Sequence, residues 1–426
     1  MRVLFLFPLI ALACASAEKD TAEFRPSFSG SSNQETERPM LQSSLSLADA
    51  LHKARENSPA LRAMAYQKQA QIERLSVAGR WKNPEIGWKA EGLPLGTSGG
   101  KEEVLLGVRQ AIPLGGVLSK TERLEEEKLR SLQHRQAFLT LELDSRVRGL
   151  FASALVFQEV VVLQEHRVEI AKKQSELQEA LVESGEEIGG AWEDAKMEQF
   201  RQASILDETR RRHQIALGDL ALFLNVSTSS FVLRGDVEEV VDFPKLEILL
   251  RGLEQVPVLA EAFSSAQVAK IQADLAEARM IPAVHLELFY RKTDTGHHAL
   301  DAGVFFELPW NGQAAAQSRA QSAEASSAMQ KVQWQLQETR MALRRRYTDY
   351  TLASEQWKKI QEEVIPALSR KTHIAELQYQ AGEYSLTEVL RYRTDWVNGE
   401  IAQLNAWKEV LLALAHLRPF LLSEND

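Results

Sequence analysis

The sequence predicts a mixed fold in which long α-helical rods carry four short β-strands, and three observations lead there. The chain is written twice, each copy contains a helical run of more than sixty residues, and each copy contains a pair of alternating stretches.

The duplication shows as motifs that recur in order at a nearly constant offset. Asn57-Ser58-Pro59-Ala60-Leu61 returns 198 residues later as Gln255-Val256-Pro257-Val258-Leu259, and Pro84 returns as Pro282. Ile112-Pro113-Leu114-Gly115-Gly116 returns at an offset of 196 as Leu308-Pro309-Trp310-Asn311-Gly312, and Gly185-Glu186 at 197 as Gly382-Glu383. Recurrence of this kind marks two structural repeats. Each copy reads as a helix (46–81; 246–279), two strands around a loop, a very long helix (about 119–184; 313–380), a glycine turn and a last helix (about 191–225; 386–417). The first repeat is placed at 43–225, a linker at 226–244, the second repeat at 245–419 and a C-terminal tail at 420–426.

Ahead of the repeats, Arg2, an apolar run from Val3 to Ala13 and Ala15-Ser16-Ala17 read as a signal peptide over 1–17. A polar, flexible tail follows over 18–42. Two fates are open for Cys14, the only cysteine: removal with the leader by cleavage after Ala17, or lipid attachment at Ala11-Leu12-Ala13-Cys14. Removal leaves no disulfide in the mature chain, so stability rests on packing and assembly.

With 426 residues, 44% hydrophobic and 26% charged, the chain lies in the globular range. Its net charge of −9, with no basic patch, argues against a nucleic-acid partner. After the leader, no uninterrupted apolar run reaches the roughly 18 residues of a membrane-spanning helix. The richest stretch, Val410 to Leu422, is broken by His416, Arg418 and Pro419.

The first long helix would extend on the order of 100 Å, more than a compact domain needs. Steps of three and four from Leu129 through Leu143, Val147, Leu150, Ala154 and Phe157 to Val182 land mostly on apolar residues, the pattern of a coiled-coil seam. In the strands, Ile86, Trp88 and Ala90 alternate with Gly87, Lys89 and Glu91; Val104, Leu106 and Val108 with Leu105, Gly107 and Arg109. In the second copy Val284, Leu286, Leu288 and Tyr290 alternate with His285, Glu287 and Phe289, and Ala302, Val304 and Phe306 with Gly303 and Phe305. One apolar face on strands of about 9–11 residues is the transmembrane β pattern. Trp81 and Trp310 stand where an interfacial aromatic belt would fall. Four strands cannot close a barrel and open edges are not tolerated in lipid, so chains must pool their strands.

With these features the chain resembles the TolC-like outer-membrane efflux family over nearly its whole mature length. The duplication, the two hairpins, the junctions at 113–116 and 309–312 and the segment Gly382-Glu383-Tyr384-Ser385-Leu386-Thr387-Glu388-Val389-Leu390 carry the resemblance. The junctions look most like those of the metal-cation efflux branch. The resemblance implies a homotrimer closing a 12-stranded barrel in outer-membrane lipid, continued by an α-helical coiled-coil barrel, or tunnel, in the periplasm. It implies a passive exit duct for small substrates, metal cations among them, fed by an inner-membrane pump through a periplasmic adaptor. It places Gly185, Gly382, Glu383 and Glu388 at the tunnel tip and gives Glu388, six residues after Gly382, a gating position. The equivalent position after Gly185 is Ala191, so a single acidic ring per trimer is expected.

Nothing in the sequence resembles an active site, so no enzyme activity, cofactor or metal site is expected. His297-His298 reads as polar loop. Two other functions fit the same architecture: the duct of a protein-secretion system, and a non-pore periplasmic coiled-coil structural protein.

Overall fold

The computed structural model describes residues 44–91, 103–186, 189–226, 232–235, 243–293, 296–308 and 310–420. The leader, the polar tail and Cys14 lie outside these residues, as do Glu187 and most of the linker.

The first repeat opens with β1 (Ser44–Leu45), α1 (Leu47–Asn57) and α2 (Pro59–Ala78). The helical run read over 46–81 divides at its early proline, where the sequence allows a bend or a true helix start. Ser58 is extended and caps the Leu61 N–H at 3.3 Å, and Pro59 takes the first helical position, where its missing N–H costs nothing. Ser46 and Asp49 close a reciprocal capping box at the start of α1. Strands β2 (Glu85–Glu91) and β3 (Glu103–Ile112) follow, then α3 (Val117–Glu183) and α4 (Gly189–Phe223). The linker carries β4 (Val232–Leu233), and the second repeat runs through α5 (Leu246–Gly252), a short 3-10 turn, α6 (Pro257–Ala278), β5 (Val284–Thr293) and β6 (His298–Phe306). It continues with α7 (Gln313–Lys359), α8 (Ile365–Gln380) and α9 (Leu386–Leu417).

Between α7 and α8 lies a π turn, Ile360–Val364, in which the Ile365 N–H reaches back to the Ile360 carbonyl. The duplication explains it. The offset between repeats is 196 at the start of the long helices (Gly116, Gly312) and 197 at their end (Gly185, Gly382). The second helix therefore holds one extra residue, and a π turn is how a helix absorbs one. Pro366 sits in the first turn of α8, one residue beyond the π turn, where a proline's missing N–H is best tolerated.

The four strands form one antiparallel sheet in the order β2-β3-β5-β6. The hairpins differ by one pleat: Ile86 faces Val108, whereas Val284 faces Phe306 and Leu286 faces Val304. A shift of two residues keeps every side chain on its own face. Sequence reading missed the parallel pairing of β1 with β4, because two-residue strands carry no periodicity.

Three apolar clusters hold the helices. Leu45, Ala50, Ala54, Val147, Phe151, Leu220 and Leu224 join α1, α3 and α4. Val156, Leu253, Leu259, Leu343, Val410 and Leu417 join α3 to α6, α7 and α9. Leu124, Ile271 and Leu275 join α3 to α6. Because α3 serves all three, its buried face around Phe151, Ala152, Leu155 and Val156 is wider than the single expected seam. That stretch also revises the reading of apolar runs: α3 contains a window apolar and long enough to cross a membrane, and 44% of it is buried inside the fold. Phe420, read as the first residue of a tail, is buried in the core beneath the Arg346 guanidinium.

Candidate channel wall and tunnel tip

The sheet reverses the order of a soluble protein. On one face, the ladder lines up Ile86, Val108 and Leu288, then Trp88, Leu106, Tyr290 and Leu300, then Leu286 and Val304. All of these side chains are exposed, Ile86 at 79% and Leu300 at 67%. The face covered instead is the polar one, where Glu287 is 8% exposed. Arg109 bonds Glu287 and lies 3.8 Å from Glu85, while Arg291 bridges Glu103 at 3.2 Å and Asp301 at 2.8 Å. Lys89 lies 4.5 Å from the centre of the Phe289 ring. A bare apolar face beside an internally paired polar face suits lipid on one side and water on the other. Trp81 and Trp310 are exposed near the base of the sheet, as expected of a belt.

Two readings of this wall change. A Cβ on Gly107 would run into the Phe289 ring, so Gly107, read only as part of the strand alternation, is a seat for that ring. His298 belongs to β6, where it stacks on Tyr290 at 5.6 Å and bonds its hydroxyl, whereas His297 donates its backbone N–H to Thr293 Oγ1 at 3.0 Å. The paired arginines escaped the sequence reading because their partners are up to 188 residues away. Equal parity of basic and acidic residues on adjacent strands was the available signal.

At the far end of the long helices, Gly185 and Gly382 adopt φ of +80° and +77°. The Gly185 N–H reaches Val182 O and the Glu186 N–H reaches Leu181 O; Gly382 and Glu383 repeat the pattern on Tyr379 and Gln378. Each helix thus ends in a Schellman turn, which requires the left-handed residue that glycine supplies. Ser385 then starts α9, its Oγ accepting the Glu388 N–H at 3.3 Å. Glu388 Oε2 accepts the Ser385 N–H at 2.9 Å and its hydroxyl at 3.1 Å. The Glu388 carboxylate is therefore engaged in a capping box of its own turn. Tyr384 and Tyr392 stack beside it, and the neighbouring Tyr392 pushes the Tyr384 phenol pKa up. Glu183, Glu186 and Glu383 are exposed at the two tips, and Glu388 is half-buried.

Between the tips and the cores, α3 and α4 share a buried polar layer that sequence reading did not single out. Gln164 Nε2 donates to Gln202 Oε1 at 2.8 Å, and Arg167 faces Glu198 at 3.9 Å. Burial pushes the Arg167 pKa down while Glu198 opposes that shift. Among the described residues no three His, Cys, Asp or Glu side chains converge as a metal site.

A pore-type sheet continued by duplicated antiparallel rods is the fold of the outer-membrane channels. The structure of the channel OprN matches with a TM-score of 0.73 and 15% identity, covering 88% of this chain and 89% of that one. CusC matches with a TM-score of 0.71 and 15% identity, over 87% and 90%. The CmeC channel of Campylobacter jejuni matches with a TM-score of 0.71 and 16% identity, over 88% and 85%. No curated protein sequence matches the chain.

Residues 50–226 match the model of the outer membrane efflux protein family.

Proposed function

We propose that the protein is the passive exit duct of a tripartite efflux system, working as a homotrimer that pools four strands per chain into a 12-stranded barrel. One observation carries this reading: the sheet exposes its apolar face and leaves β2 and β6 as open edges. Exposed edges in lipid leave backbone groups unsatisfied at several kcal/mol each, so copies must join. A non-pore coiled coil would have no use for a bare apolar sheet.

In this reading a periplasmic adaptor meets the tunnel tips and an inner-membrane pump delivers substrate through it. The acidic tips favour small cations, metal cations among them, because three copies around one axis add their potentials. Native mass measurement in detergent tests the assembly. The expected species is a trimer retaining β-structure; a stable monomer retaining it would sink the proposal.

A further inference from the structure

The apolar face of the sheet ends in one rung that is not apolar. Read across the ladder, Ala90, Val104, Lys292 and His298 stand side by side at the end of the strands away from the helical rods. Below them that face is apolar except for Gln110 near the base and the Tyr290 hydroxyl. We infer that Lys292 and His298 form a docking point for the phosphate of a phosphorylated glycolipid, the lipid of the outer leaflet of an outer membrane. The inference rests on the barrel reading above and adds a lipid headgroup held at one place on each chain.

Charge, height and geometry support it. Lys292 is the only Asp, Glu, Lys or Arg that the four strands place on this face. It is exposed and forms no ion pair with the described residues, whereas Arg109 and Arg291 on the other face are both paired with carboxylates. A cation at the edge of hydrocarbon is costly unless an anion meets it. Lys292 lies eight residues beyond Val284 on the same strand. At a rise of roughly 3.4 Å per residue and a tilt of about 40°, it stands roughly 20 Å above the base, near the level where an apolar band of about 25 Å gives way to headgroups. The Tyr290 ring stacks on His298 at 5.6 Å and its hydroxyl bonds Nδ1, which fixes the imidazole beside Lys292 on the adjacent strand. A tyrosine with its ring in hydrocarbon and its hydroxyl at the boundary is an interfacial anchor. When that hydroxyl donates to Nδ1, the imidazole carries its proton on Nε2, so the rung offers a phosphate an ammonium and a second donor.

The test is lipid retention by the whole protein. Native mass spectra are recorded from detergent with added lipid A, with lipid A stripped of its phosphates, and with phosphatidylethanolamine. The expected result is retention of lipid A in preference to both others. Lys292→Gln should lower that retention roughly tenfold, the effect of losing one charge-assisted contact. Lys292→Arg should keep it, because a guanidinium meets phosphate as well. Equal retention of lipid A with and without its phosphates, or retention unchanged by Lys292→Gln, overturns the docking point while leaving the barrel standing. Displacement of lipid A by millimolar inorganic phosphate would reveal a site for free anions and overturn it as well. A protein that forms no trimer and takes up no lipid overturns the barrel and the docking point together.

Discussion

At the residue scale, a few side chains are held by neighbours that their own positions in the sequence do not reveal. Gly107 is the clearest. Its Cα carries the Phe289 ring, and any added Cβ would run into that ring. Gly107→Ala is expected to destabilise the protein by about 1–3 kcal/mol, as overpacking does, read as a lower midpoint of denaturation of the assembled protein. Glu388 is the second case. Because its carboxylate closes the capping box with Ser385, Glu388→Ala would remove both the charge and the cap. Glu388→Gln keeps an oxygen for the Ser385 N–H and removes the charge alone. If Glu388 also forms a ring at the tunnel mouth, Glu388→Gln should reduce cation preference and block by multivalent cations in single-channel recordings. Unchanged selectivity would confine Glu388 to the turn. The sequence disclosed Glu388 by its spacing from Gly382 but not its bond to Ser385, since one spacing serves a cap and a ring equally.

At the scale of elements, turns and helix ends were the most legible features, because their chemistry is local. The positive φ at Gly185 and Gly382 follows from glycine at a helix end, and the start of α2 from Ser58-Pro59. The alternation in the strands announced the correct faces, and the ladder preserves that parity across all four. What local pattern could not supply was the partner of each arginine in the wall, the pleat shift between hairpins or the crowding around α3. These arise from contacts between distant segments. Gly382→Ala gives a clean measure of one such element: no atom lies within 4 Å of the added Cβ, so only the left-handed backbone resists it. A loss of about 1–2 kcal/mol is expected, seen as faster amide exchange through the tip hairpin with barrel assembly unchanged. Protection equal to wild type would show that the Schellman turn is not what holds the tip.

At the scale of the whole molecule, the duplication organises the result: two copies of one plan, joined into one sheet through β3 and β5. The difference in offset of a single residue surfaces as the π turn at Ile360–Val364. An arginine on the apolar face should therefore be felt by the assembly and not only by its strand. Val108→Arg is expected to cost roughly 2–4 kcal/mol on the lipid side and to reduce the trimer recovered from outer membranes. Normal recovery would mean that Val108 does not face hydrocarbon. The most direct test of the central claim, that the exposed apolar face of the sheet meets lipid, is the accessibility of spin labels in the reconstituted protein. Labels at Val108→Cys and Val304→Cys should relax with oxygen dissolved in the bilayer and be shielded from a water-soluble nickel chelate, and labels at Lys89→Cys and Glu91→Cys should show the reverse. Equal access of the chelate to both sets would contradict a membrane barrel.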